Sequence, residues 1–292
     1  MCAAMRHPGI VVGTDGSAAS KVAVQWAARD AAMRNVSLTV VHVAGGMVAA
    51  WTQTPVPVGF GAWQQRQGQQ FLDDAVRIVE EAAPGSGPAQ VKAEMYYSAS
   101  VPTLVDMSRD AEMVVVGSHG QGAFGTLLGS VSMGLVHHAH CPVAVIRDGA
   151  APMPTQGPVL VGIDGSPASE RATAIAFDEA SRRSVDLIAL HAWSDTRMLD
   201  FPGVDWSAVK SSEEGVLAER LAGWQERYPD VKIARLVVCD RPARQLIEHS
   251  ESAHLVVVGS HGRGGFAGML LGSVSTAVVQ SARTPVIVAR QS

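Results

Sequence analysis

Apolar residues in this chain fall into two kinds of stretch, and the two alternate. Short runs such as Ile10-Val11-Val12, Val114-Val115-Val116, Val159-Leu160-Val161 and Val256-Val257-Val258 are apolar at every position. A strand with that pattern has both faces covered, as in a parallel sheet between helices. Longer stretches mix apolar and charged residues. Over 17–34, Val22, Val24, Ala27 and Ala31 sit among Lys21, Arg29 and Asp30, which predicts a helix. The first half reads as strands over 9–14, 36–43, 91–97, 113–116 and 141–146, with helices over 17–34, 63–83, 101–110 and 129–139. The second half repeats that order, with strands over 159–163, 185–192, 231–238, 255–258 and 286–289 and helices over 166–183, 207–228, 242–250 and 272–282. Alternation of this kind predicts an α/β fold built on a parallel sheet.

The two halves are copies. Asp15 lies on Asp164 and His42 on His191 at an offset of 149, Gly117 on Gly259 at 142, and Gly129 on Gly272 at 143. A repeat of this length means two domains of one kind, expected at 1–148 and 158–292 with a Pro-rich linker at 149–157.

Each half carries the same device after its fourth strand. Gly117-Ser118-His119-Gly120-Gln121-Gly122 runs on to Gly129-Ser130-Val131-Ser132, and Gly259-Ser260-His261-Gly262-Arg263-Gly264-Gly265 runs on to Gly272-Ser273-Val274-Ser275. Strand, glycine loop and helix N-terminus together make an anion cradle from backbone N–H groups. The closing Gly-Ser predicts a serine N-cap. The hydroxyls of Ser130, Ser132, Ser273 and Ser275 can donate to phosphate oxygens or can simply cap the helix. The glycines are expected to be bare so that backbone can approach phosphate. Eight residues separate Gly120 from Gly129, and nine separate Gly262 from Gly272, so the first loop is one residue shorter. Arg263 brings a positive charge to the second loop where Gln121 stands in the first. Gly13-Thr14-Asp15 and Gly162-Ile163-Asp164 end the first strand of each half. Either Asp can close an Asx turn or contact a ligand, directly or through Mg²⁺.

Composition narrows the partners. The net charge is −4, aromatics make up 5% of the chain, and no basic run stands out, so a nucleic-acid partner is not expected. Cys2, Cys141 and Cys239 are too scattered for a disulfide framework or a zinc site, and Cys141 reads as a small core residue. His137-His138-Ala139-His140 sits at a helix end, where histidine complements the dipole, and no metal site is expected there. His119 and His261 have no evident acidic partner in sequence. No signal peptide or membrane span is read, so a cytoplasmic protein is expected. The Gly120–Gly125 match to G-x-G-x-x-G follows the fourth strand and not the first, so it is not a dinucleotide fingerprint. No Gly-Lys-Ser/Thr follows either loop, and slow or no hydrolysis is expected.

Asp after the first strand, Gly-Ser-His-Gly after the fourth and Leu-Leu-Gly-Ser-Val-Ser opening the next helix together resemble the universal stress protein family in its tandem form. The resemblance covers nearly the whole chain. It implies two Rossmann-like domains of the adenine nucleotide alpha hydrolase-like type, each a five-stranded parallel sheet of order 3-2-1-4-5. The ligand cleft would then lie at the switch point between strands 1 and 4. The family's ATP-binding motif is matched in full at Gly259, Gly262, Gly272 and Ser273, and with the short gap at Gly117, Gly120, Gly129 and Ser130. The resemblance further implies ATP, with or without Mg²⁺, as the cofactor. It implies that backbone at Val43 and Ala192 reads the adenine edge. It also implies a homodimer acting on a regulatory protein partner in stress response or growth control. A slow ATPase or nucleotidyl transferase, and a nucleotide-free interaction scaffold, are the alternatives.

Overall fold

The computed structural model describes residues 8–45, 58–83, 85, 87–120, 128–148, 157–192, 206–263 and 270–290. The chain divides into two compact units, residues 1–148 and 149–291. The expected linker falls almost wholly on 149–156, outside the described residues.

In the first unit the strands are β1 (Ile10–Gly13), β2 (Leu38–Val43), β3 (Val91–Tyr96), β4 (Met113–Gly117) and β5 (Val143–Ile146), and the helices are α1 (Ala18–Arg34), α2 (Phe60–Ala82), α3 (Ser100–Met107) and α4 (Ser130–His138). β1 pairs in parallel with β2 and β4, β2 with β3, and β4 with β5, giving the order β3-β2-β1-β4-β5. The second unit has β6 (Val159–Gly162), β7 (Leu187–Ala192), β8 (Ile233–Val238), β9 (Leu255–Gly259) and β10 (Val286–Ala289). Its helices are α5 (Pro167–Arg183), α6 (Trp206–Arg227), α7 (Pro242–Ser250) and α8 (Ser273–Ser281). Its parallel order is β8-β7-β6-β9-β10.

Both sheets are apolar on both faces, as the unbroken Val/Ile runs require. Ile10, Val11, Val12, Val114 and Val115 are fully buried, and so are Val159, Leu160, Val161, Val256 and Val257. Each such side chain contributes roughly 1.5–3 kcal/mol relative to exposure. α1 lies on β1, β4 and β5, and α5 on β6, β9 and β10. The buried side of α1 is mostly alanine (Ala19, Ala23, Ala27, Ala28, Ala31), so helix and sheet approach closely. Gly117 marks the closest approach, where a Cβ would stand 2.7 Å from the Ala19 carbonyl carbon. At the matching place a Cβ on Gly259 would stand 2.8 Å from the Ala168 carbonyl carbon.

Two details depart from the sequence pattern. Asp30, placed with the polar positions of α1, is fully buried and accepts from Arg34 Nε at 2.8 Å. Its counterpart Glu179 is fully buried against Arg183, whose Nε donates to it at 2.9 Å. The i,i+4 spacing lets each arginine fold back on its own helix, which is how a carboxylate enters an otherwise apolar face. Both helices end on a left-handed residue, Asn35 at φ 53° and Ser184 at φ 54°. Asn suits that position better than Ser.

Candidate functional site

β1 stops at Thr14-Asp15-Gly16 because Gly16 takes φ 77°, and β6 stops the same way at Gly165 with φ 77°. The turn then enters a capped helix. The Ser17 hydroxyl accepts from Ser20 N at 3.2 Å, and Ser166 does the same for Ser169 N at 3.2 Å. The Asp side chain closes this turn: Asp15 Oδ1 accepts from Ser17 N at 3.0 Å and Asp164 Oδ1 from Ser166 N at 2.9 Å.

The glycine loop leaves the neighbouring strand and returns to it. Ser118 N donates to Ile146 O at 2.7 Å and Ser260 N to Ala289 O at 3.0 Å. Gly129 N donates back to Ser118 O, and Gly272 N to Ser260 O, each at 2.7 Å. The shorter loop and the longer one are thus closed by the same bond, and the one-residue difference falls on the stretch between the anchors. Gln121, Gly122, Gly264 and Gly265 lie outside the described residues.

Helices α4 and α8 begin one residue earlier than a serine cap requires. The N-caps are Gly129 and Gly272, in extended conformation and without a side-chain cap bond. Ser130 and Ser273 are therefore the first helical residues, exposed and lining the clefts. The first-turn amides of these helices have no intrahelical acceptor, and the positive end of the dipole faces the opening. Ser132 and Ser275 also line the clefts, but neither hydroxyl caps its own helix. They are buried, and their hydroxyls donate to Gly117 O at 2.6 Å and Gly259 O at 2.5 Å, tying each helix to the end of its strand.

The first cleft is bounded at its strand end by Gly13, Thr14 and Asp15, at its apolar wall by Val41, Val43 and Leu104, and at its loop end by Gly117, Gly120 and residues 129–132. The second has Gly162, Ile163 and Asp164, then Leu190, Ala192 and Leu246, then Gly259, Gly262, Arg263 and residues 272–275. Ser118 and Ser260 do not line the clefts. Both are buried, with Oγ 3.0 Å from His119 Nδ1 and 3.1 Å from His261 Nδ1. Leu104 and Leu246, on the short helices α3 and α7, were not anticipated, although their offset of 142 matches that of the glycine loops.

His119 has an acidic partner after all. Its Nε2 lies 3.4 Å from Asp148 Oδ1, just beyond β5. Ser118, His119 and Asp148 thus lie in a row, but the serine oxygen is buried and not presented to the cleft. A nucleophile needs access to its substrate. Tyr96, near the opposite edge of the same sheet, donates to Glu94 at 2.6 Å, and its phenol is pushed up to about 12 by burial first and by that carboxylate second. Among the described residues no group of three or more His, Cys, Asp or Glu gathers that could hold a metal, and no helix is long and apolar enough to cross a membrane.

Burial pushes the Asp164 carboxyl up, but hydrogen bonds from Ser166, from the Arg263 backbone and from Ser169 outweigh it and hold the group below the usual range. The second cleft therefore keeps an ionised carboxylate beside its glycine loop at neutral pH.

Duplicated domains, each with an Asp turn facing a glycine loop at the switch point, match one family twice over. The universal stress protein family covers residues 8–147 and again 157–290. The chain belongs to that family. A universal stress protein of Mycobacterium tuberculosis is 61% identical over 287 residues, 97% of each chain. One of Mycobacterium bovis is 59% identical over 290 residues, 98% of each. Among solved structures, a universal stress protein from Archaeoglobus fulgidus superposes with a TM-score of 0.68 at 20% identity, over 97% of this chain and 96% of that one. That likeness bears on the fold.

Proposed function

We propose that this universal stress protein binds an adenine nucleotide, foremost ATP, in each of its two clefts. Nucleotide state would then change its contacts with a regulatory protein partner in stress response or growth control. The observation that carries this reading is the pairing, at the carboxyl ends of two adjacent parallel strands, of a bare glycine loop with an uncapped helix N-terminus. Phosphate would be held by first-turn amides at Ser130–Ser132 and Ser273–Ser275, by the Ser130 and Ser273 hydroxyls, and in the second cleft by Arg263. The base would lie toward Val41, Val43 and Leu104, or toward Leu190, Ala192 and Leu246, where apolar side chains and free strand-end backbone offer stacking and edge contacts.

The two clefts are unequal. The second has a volume of about 520 Å³ and the first about 240 Å³. Sites for small organic ligands usually span roughly 300–1,000 Å³. The second cleft is large enough as it stands, and the first must widen, so the second is expected to fill first. No lysine or arginine appears among the described residues lining the first cleft. Slow or no hydrolysis belongs to the same proposal.

Titration calorimetry with ATP is expected to show two sites of different affinity, with Arg263→Ala weakening the tighter one. Mass spectrometry of the ligand that copurifies would identify the nucleotide. Purified protein that carries none and binds none overturns the reading. A homodimer belongs to the same proposal, and light scattering that reports a monomer removes it.

A further inference from the structure

Asp15 and Asp164 were expected to reach the nucleotide directly or through Mg²⁺. Their surroundings assign the carboxylate another task. Asp164 Oδ1 takes the Ser166 amide at 2.9 Å and Oδ2 takes the Arg263 amide at 3.0 Å, so each oxygen already serves a backbone donor, one on each side of the cleft. Ser166 adds a second tie across the same gap, its hydroxyl donating to His261 O at 3.2 Å. Ser169 Oγ accepts from Gly165 N at 3.0 Å and steadies the turn from behind.

The glycines give an independent observation. A Cβ on Gly262 would lie 2.5 Å from Asp164 Oδ2, and one on Gly120 would lie 2.6 Å from Asp15 Oδ2. In both units the second glycine of the motif is bare on the side where the carboxylate enters. The bareness read from sequence as room for phosphate is, at this position, room for Asp.

We propose that Asp164, and Asp15 in the first unit, are positioning residues that clasp the glycine loop to the turn after the first strand and so shape the phosphate end of the cleft, and that neither is a magnesium ligand. The part concerning affinity rests on the nucleotide-binding reading, whereas the part concerning the loop does not. Asp164→Asn separates the two bonds. The amide oxygen can still accept from Ser166 N, but the NH₂ group then faces the Arg263 N–H, donor against donor.

Hydrogen exchange measured by NMR on the full, nucleotide-free chain is expected to speed up at the Arg263 amide by about tenfold in D164N, the loss of one charge-assisted bond. Amides in the centre of β6 and β9 should keep their rates. ATP affinity is expected to fall by one and the same factor in Mg²⁺ and in EDTA. Gly262→Ala, which displaces the carboxylate without removing its charge, should give the same exchange signature if D164N fails to fold. Unchanged exchange at Arg263, or an affinity loss that appears only with Mg²⁺ present, overturns the proposal. A wild-type chain that binds no ATP would remove the nucleotide reading, while the exchange result would still decide the clasp.

Discussion

The three glycines of the second motif look equivalent in sequence, yet alanine at each should break something different. A Cβ on Gly259 would stand 2.8 Å from the Ala168 carbonyl carbon and 3.0 Å from Ala168 O and Ser169 N. All three atoms are backbone of the first turn of α5, and β9 is held on both sides by β6 and β10. Carbon atoms pack at about 3.5–4.0 Å, so helix and sheet must separate by more than half an ångström. The cost is expected at about 1–3 kcal/mol, or several degrees of melting temperature for a unit of this size. At Gly262 the only atom of the described residues closer than 3.7 Å is Asp164 Oδ2, the tip of a side chain. Alanine there should cost less than about 1 kcal/mol of stability and act mainly on the loop. At Gly272 the nearest atoms are 3.4, 3.5 and 3.7 Å away, ordinary contact distances. Alanine at 272 makes only ordinary contacts with the described residues, so a loss of nucleotide binding there reports the close approach of the ligand itself. Urea unfolding and ATP titration on the three variants check this. If Gly259→Ala keeps full stability while all three weaken binding alike, the glycines serve the ligand alone and the packing account is wrong.

Ser275→Ala removes the donor that holds α8 to Gly259 O at 2.5 Å and should cost about 1 kcal/mol in urea unfolding, with ATP affinity lowered through displacement of the helix. Phe177 is fully buried, stacked at 5.7 Å on Trp224 and tilted against Tyr228 at 5.6 Å. Phe177→Ala should cost about 3–5 kcal/mol, read as a lowered midpoint in urea unfolding. The Asp164 carboxyl sits below its ordinary range in the folded chain, so the stability it contributes is fully present above the unfolded value of about 3.9. That stability is lost as pH falls through the lower folded value. Acid unfolding should accordingly flatten in D164N over that window, and an unchanged acid limb contradicts the assignment.

The parallel sheets and their helices were legible because buried strands in such a sheet have no polar alternation to hide them. Val114-Val115-Val116 and Val256-Val257-Val258 are strands at sight. The cleft was legible because the Asp turn and the glycine loop follow the two strands on either side of the switch point. What escaped was which atom each residue meets. A Gly-Ser pair at a helix start cannot show whether Gly or Ser is the cap. That one-residue difference decides whether Ser130 faces the cleft or the helix backbone. Buried Asp30 and Glu179 look like surface charges, because the arginine that neutralises each lies on the same helix four residues later, a spacing equally at home in solvent. Asp148 could be joined to His119 only through the sheet, since 28 residues of sequence separate them.

Comparison of the halves shows which contacts the site depends on. Over the positive-φ glycine of the turn, the first unit lays Phe71 and the second lays Arg220, which also pairs with Glu170 at 3.0 Å. Buried His42 meets Phe71 edge-on at 5.3 Å, while buried His191 has Glu213 at 3.2 Å. Thr14 stands where Ile163 does, and Ser100 where Pro242 does. Against this turnover, several contacts are the same in both units. The histidine ring nitrogen meets the carbonyl oxygen before the Asp, at 2.8 Å in one and 2.6 Å in the other. The Asp turn, the loop-closing bond of Gly129 and Gly272, and the serine tie to the strand end also recur. A wall of the cleft tolerates exchange of apolar for polar because it needs only shape. The frame does not, because each of its bonds fixes a backbone group at the turn, the loop or the strand end. The clasp proposed for Asp15 and Asp164 belongs to the frame. The entry of the carboxylate beside the second glycine of the motif, Asp15 at Gly120 and Asp164 at Gly262, recurs where the loop lengths differ.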